Sequence, residues 1–259
     1  MVSAAGIVLS APGCVRVSLP PRANPSVSPR WAERGTQSLR SILPLLLAAV
    51  AFGCLRPGPD PTVELVDVAT LDPTIRLDLR YAGPDNFTGL AVYPAARCLL
   101  RRDAAERLVR VQRRLQADGL GLLLWDCYRP FSIQERFWAL VPDARYVARP
   151  ERRAGQPVAG SKHNRGAAVD VTLVDAAGTP LPMPTGFDDF SARAHRGAPA
   201  PRAARANAAR LEAAMTAEGF EPFPTEWWHF DAPGWQGYGL LDAPFAATPT
   251  AARPAPRPD

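Results

Sequence analysis

Ser161-Lys162-His163-Asn164-Arg165-Gly166-Ala167-Ala168-Val169-Asp170 sets a histidine in a polar stretch and a carboxylate inside the apolar run that follows. Residues 167–174 (AAVDVTLV) read as a buried strand. Side chains alternate across a strand, so Val169, Val171 and Leu173 share one face while Asp170 and Thr172 point from the other. Gly166 lets the backbone turn sharply between the loop and this strand, which swings His163 back over the face that carries Asp170. An imidazole and a carboxylate then converge.

A third group comes from Glu226-Trp227-Trp228-His229-Phe230. The chain has only three histidines, at 163, 195 and 229, so a His-based metal site has few possible makers. His195 lies in the polar stretch Ser191-Ala192-Arg193-Ala194-His195-Arg196, has no companion carboxylate pattern, and is read as a non-ligand. His163, Asp170 and His229 match catalytic zinc, which takes three protein ligands and leaves a fourth position for water. Oxygen and nitrogen ligands also admit other divalent ions. Taken singly, an Asp in an apolar strand is more often a hydrogen-bonded core residue, and a loop His is usually just exposed. The combination carries the reading, because buried ionisable groups demand partners.

Water that attacks an amide needs a base, and Glu226 is the candidate. Residues three apart in a regular strand face opposite ways, so Glu226 is expected just before the strand that carries His229, on an irregular approach through Pro222 and Pro224. Trp227 and Trp228 read as packing aromatics. Arg129, in Asp126-Cys127-Tyr128-Arg129-Pro130, follows a buried strand at residues 120–125 (LGLLLW) and is placed to stabilise a developing oxyanion.

Around this nucleus the pattern alternates helix and strand without a repeat, which makes the fold class α+β. Asp103 with Glu106 forms a capping-box-like start, after which Ala104, Leu108, Val111 and Leu115 recur at helical spacing until Gly119. Ser132 with Glu135 is expected to cap a second helix through about Leu140, and residues 203–218 form a third that Gly219 ends.

The chain of 259 residues, 47% hydrophobic, is long enough for one catalytic domain with tails. Its 30 basic against 25 acidic residues are not gathered into one run, and no motif supports nucleic-acid binding. Cysteines at 14, 54, 98 and 127 contain no Cys-x-x-Cys pair, which excludes a zinc ribbon and a thioredoxin-like motif. Cys98 and Cys127 are either one disulfide, in an oxidising compartment, or two buried thiols.

Ile42 to Phe52 (ILPLLLAAVAF) follows Arg34 and Arg40 and precedes Gly53-Cys54. Residues 39–54 read as a signal peptide, too short to span a bilayer. Lipidation of Cys54 would anchor the protein to a membrane; plain secretion and a short buried helix are the alternatives. Either exported form works in the periplasm or cell envelope. Residues 1–38, rich in Pro, Ser and Arg, are expected to be a non-native or disordered extension, and residues 242–259, rich in Pro and Ala, a disordered tail.

SKHNRGAAVD, EWWH, DCYRP and Arg80-Tyr81-Ala82-x-x-Asp85-Asn86-Phe87-Thr88-Gly89 together resemble the D-alanyl-D-alanine dipeptidase family over residues 62–241. The S-x-H-x-x-G-x-A-x-D pattern alone marks the wider zinc D,D-peptidases, which include D,D-carboxypeptidases and resemble the Hedgehog domain. The resemblance implies a single domain with a central, mainly antiparallel sheet flanked by helices. It implies one zinc ion on His163, Asp170 and His229, Glu226 as base, and Arg129 stabilising the transition state of D-Ala-D-Ala hydrolysis. It further implies substrate contacts from Tyr81, Ser161 and Asp188, the last holding the free ammonium, although Asp189 lies beside it. The rival readings are a D,D-carboxypeptidase acting on stem peptides and a zinc-stabilised cell-wall binding lipoprotein without turnover. For an exported enzyme the expected role is dipeptide salvage from peptidoglycan turnover, rather than glycopeptide resistance.

Overall fold

The computed structural model describes residues 64–245. The leader, Cys54 and the extension before it lie outside the described residues, as do residues 246–259.

The described chain begins with β1 (Leu65–Asp67) and α1 (Val68–Leu71), capped by the Asp67 carboxylate, which accepts from the Ala69 N–H. Next come β2 (Arg76–Leu77), β3 (Leu99–Arg101), α2 (Arg102–Gln116), β4 (Leu120–Asp126) and α3 (Phe131–Leu140). A hairpin of β5 (Glu151–Arg153) and β6 (Gln156–Ala159) precedes β7 (Ala168–Asp175), α4 (Arg202–Ala217), β8 (Glu221–Pro222) and β9 (His229–Asp231). The central sheet has the order β2-β4-β7-β9-β8. β2 runs parallel to β4 and every other neighbouring pair is antiparallel, so the sheet is mainly antiparallel and the class is α+β.

The alternation expected of β7 is what divides the molecule. Val169, Val171 and Leu173 join one buried core with Leu108 and Leu115 of α2 and Leu211 and Met215 of α4. Each such side chain contributes about 1.5–3 kcal/mol when fully buried. Asp170 lines a cavity on the other face, and Thr172 a neighbouring one. A second buried cluster, of Tyr81, Val92, Tyr93, Phe137 and Val147, contributes Tyr81 and Phe137 to the lining of the Asp170 cavity.

The four apolar positions expected of α2 are all buried, and Gly119 (φ +70°) ends the run with its N–H on the Gln116 carbonyl. The expected caps are not formed. β3 runs straight into α2, so Arg101 occupies the N-cap without capping the helix by its side chain, which donates to the Arg165 carbonyl instead, while Asp103 accepts from the Tyr238 hydroxyl and Glu106 faces Arg102. α3 starts at Phe131 behind Pro130. The Ser132 N–H is taken by the Asp242 carboxylate from far along the chain, and Glu135 pairs with Arg152. The Asp242 side chain also pairs with Arg152, the Ala243 carbonyl accepts from the Tyr128 hydroxyl, and Phe245 packs on Tyr93. Residues 242–245 are thus held against the domain, so the packed chain continues past the point at which composition alone starts the tail.

Candidate active site

Two turns and two neighbouring strands bring the polar groups together. Ser161 caps the short 3-10 turn Lys162–Arg165, its hydroxyl accepting from the His163 N–H (3.3 Å), while Asn164 Oδ1 accepts from the Ser161 N–H (2.7 Å). Gly166 closes that turn in the left-handed region (φ +66°), and the chain enters β7, which carries Asp170. Asp170 pairs in register with His229 of β9. Glu226 sits in the turn before β9, as expected, with its carbonyl accepting from the His229 N–H.

The result is a triangle of ligand-type atoms. His163 Nε2 and His229 Nδ1 are 3.2 Å apart, and Asp170 Oδ1 lies 3.0 Å from the latter and 3.4 Å from the former. Metal–ligand bonds of about 2.0–2.1 Å in a tetrahedral arrangement give ligand–ligand edges of about 3.3 Å, so the spacing fits.

The outer nitrogens sharpen the test. His163 Nδ1 donates to the Cys127 carbonyl (2.7 Å), and His229 Nε2 faces the Asp231 carboxylate (3.0 Å). Both partners only accept, so each ring carries its hydrogen on the outer nitrogen. With a cation bound, both rings would be neutral and would turn two lone pairs and a carboxylate oxygen toward one point. The donor set calls for a cation. Without a cation the inner His229 nitrogen keeps a proton for Asp170: burial by itself lowers the His229 pKa, but hydrogen bonds to Asp170 and Asp231 outweigh it and raise it to about 10. Burial likewise opposes ionisation of Asp170, but His163 and His229 hold its pKa below the usual carboxylate range. His163, Asp170 and His229 are the group that could hold a metal ion among the described residues; His195 is exposed and outside it.

These atoms line a cavity of about 360 Å³. Glu226 Oε2 lies 3.7 Å from His229 Nδ1, and burial raises its pKa. Arg129 is buried beside the same cavity. Its guanidinium donates to Asp126 (2.6 Å), Gln134 (2.8 Å) and the Tyr93 hydroxyl (3.3 Å), and lies over the rings of Phe137 and Tyr81. Burial disfavours its charge, yet Asp126 holds its pKa above the ordinary value.

Asp188 lines the same cavity and takes the left-handed conformation (φ +59°), uncommon for a residue with a Cβ. It accepts from the Tyr81 hydroxyl (3.0 Å) and the Phe87 N–H (3.2 Å), and burial pushes its pKa up to about 7. Asp189 instead accepts from the Ser191 N–H and Arg193, which separates the two neighbours. Ser161 also lines the cavity. Trp227 and Trp228 are buried, Trp227 against Trp125 and Trp228 against Phe187. Cys98 and Cys127, both buried, form a disulfide with Cα atoms 5.2 Å apart.

Sequence reasoning missed the supporting groups Asp126, Gln134, Asp231 and Lys162, whose ammonium holds Asp231. Asp231 was within reach, because period two puts it on the His229 face. Nothing local marked Gln134.

A family model described as D-ala-D-ala dipeptidase, Peptidase_M15, matches residues 61–249. The chain is 41% identical to the D-alanyl-D-alanine dipeptidase of Escherichia coli (strain K12) over 186 residues, 71% of this chain and 93% of that protein. It is 35% identical to the D-alanyl-D-alanine dipeptidase of Enterococcus faecium and 39% identical to that of Streptomyces coelicolor, each over 60% of this chain and 85% of the relative. With the matched region spanning both turns and both strands that build the site, the chain belongs to the D-ala-D-ala dipeptidase family of peptidases.

Proposed function

We propose that the protein hydrolyses D-Ala-D-Ala with one zinc ion held by His163, Asp170 and His229. The observation that carries this reading is the convergence of two imidazole nitrogens and a carboxylate oxygen, 3.0 to 3.4 Å from one another, in a cavity lined also by Glu226, Arg129 and Asp188. A zinc ion there supplies Lewis acidity toward the scissile carbonyl and lowers the pKa of water.

Glu226 takes the proton of the attacking water and passes it to the departing amine. Arg129, locked by Asp126, Gln134 and Tyr93, faces the carbonyl oxygen as it gains charge, and so needs no rearrangement during the reaction. Asp188 holds the substrate's ammonium, with Tyr81 orienting the Asp188 carboxylate, and Ser161 completes the wall. The cavity size suits a dipeptide. The apolar leader and the buried disulfide support an exported protein working on dipeptide from peptidoglycan turnover.

The test is a turnover screen of the zinc-loaded chain against D-Ala-D-Ala, L-Ala-L-Ala and a stem pentapeptide. Selective cleavage of D-Ala-D-Ala is the expected result, whereas preferred cleavage of the pentapeptide would establish the carboxypeptidase reading. Zinc binding with no turnover of any of the three would leave the binding-protein reading.

A further inference from the structure

We infer that the Cys98–Cys127 disulfide positions the metal ligand His163 and the guanidinium of Arg129, beyond its share in overall stability. This rests on the metal-site reading above. The β4 ladder with β7 slips in register between Leu124 and Asp126, so residues 127–129 lie past the regular sheet. Those residues nonetheless carry the groups on which the site depends. The Cys127 carbonyl accepts from His163 Nδ1 (2.7 Å), and the Cys127 N–H donates to Asp126 Oδ1 (2.9 Å). Asp126 Oδ2 in turn holds Arg129 Nη2 (2.6 Å). The Arg129 N–H donates to the His163 carbonyl (3.1 Å), and Asn164 Nδ2 to the Arg129 carbonyl (2.9 Å).

These bonds strap residues 127–129 to the turn that carries His163. The scaffold is reached through the disulfide to Cys98, which directly precedes β3, and through the Tyr128 N–H on the Leu99 carbonyl (2.9 Å). The crosslinked residue is therefore the one whose carbonyl fixes the His163 tautomer and ring. Such supporting contacts change metal affinity by about 10–100-fold when lost.

The experiment compares wild type, Cys98→Ala/Cys127→Ala and Leu108→Ala, a variant of α2 in the same buried core whose side chain forms none of these hydrogen bonds. Zinc dissociation constants come from chelator competition, alongside kcat, KM and Tm. The double variant is expected to bind zinc about 10-fold or more weakly, with kcat lowered and KM little changed. Leu108→Ala is expected to lower Tm without weakening zinc. Wild-type zinc affinity and kcat in the double variant, or equal weakening in Leu108→Ala, would overturn the inference.

Should the double variant not fold, wild type is equilibrated in a glutathione redox buffer with and without zinc. Two glutathione thiols become glutathione disulfide as Cys98 and Cys127 become thiols. Tenfold tighter zinc binding to the disulfide form makes it harder to reduce by about 30 mV, by reciprocity; an unshifted midpoint overturns the inference. A wild type that neither binds zinc nor cleaves D-Ala-D-Ala removes the proposed function instead.

Discussion

Glu226 and Asp188 are two half-hidden carboxylates in one cavity with opposite tasks, and their substitutions separate those tasks. Glu226→Ala removes the proton carrier and leaves the three ligand atoms in place. It is expected to keep zinc, measured by metal analysis, and to lose about 10²–10⁴-fold in kcat. Asp188 is raised by burial from an ordinary 3.8 to about 7. The folded chain therefore holds an extra proton between those values. Its contribution to stability is full below the unfolded pKa and is lost as pH rises through about 7. Ammonium binding needs the ionised form, so kcat/KM for D-Ala-D-Ala is expected to rise through about pH 7 in wild type. Asp188→Asn should lower kcat/KM, raise KM and abolish that limb; a limb retained in the variant would assign it to another group.

At the scale of the element, the turn from Ser161 to Gly166 does more than any helix to make the site. Gly166 has φ +66°, and a Cβ there would meet Leu65 Cδ2 at 2.5 Å. Gly166→Ala is expected to cost at least about 1 kcal/mol by thermal or urea unfolding and to weaken zinc, because strain and clash act on the turn that carries His163. Unchanged stability and affinity would contradict that role. This part of the site was legible: alternation in β7 and the glycine after the turn determined which way Asp170 and His163 face. The helix starts were not. Arg101 and Pro130 stand at the N-caps because β3 and the Cys127–Pro130 segment deliver the chain directly into α2 and α3, and the Asp242 carboxylate reaches Ser132 from far along the chain. Local sequence carries no trace of a partner so distant. Gln134 escaped for another reason: its partner Arg129 is only five residues away, but the sequence does not say that the chain folds that guanidinium back onto the Gln134 amide.

For the whole molecule, the disulfide spans a sequence separation of 29 residues between two fully buried cysteines. Loop-closure entropy gives about 3–4 kcal/mol for a crosslink of that length. Cys98→Ala/Cys127→Ala is expected to unfold at correspondingly lower denaturant, and an unchanged midpoint would mean the folded core alone sets stability. The core faces of α2 and β7 were legible from periodicity, whereas the choice between disulfide and free thiols depended on tertiary proximity that spacing does not encode. The central claim is that His163, Asp170 and His229 share one cation on which hydrolysis depends. A zinc titration of the metal-stripped full chain, followed by D-Ala-D-Ala cleavage, tests it most directly. Activity should appear and saturate at one zinc per chain and be absent from Asp170→Ala; cleavage by the stripped chain, or undiminished in Asp170→Ala, would contradict it.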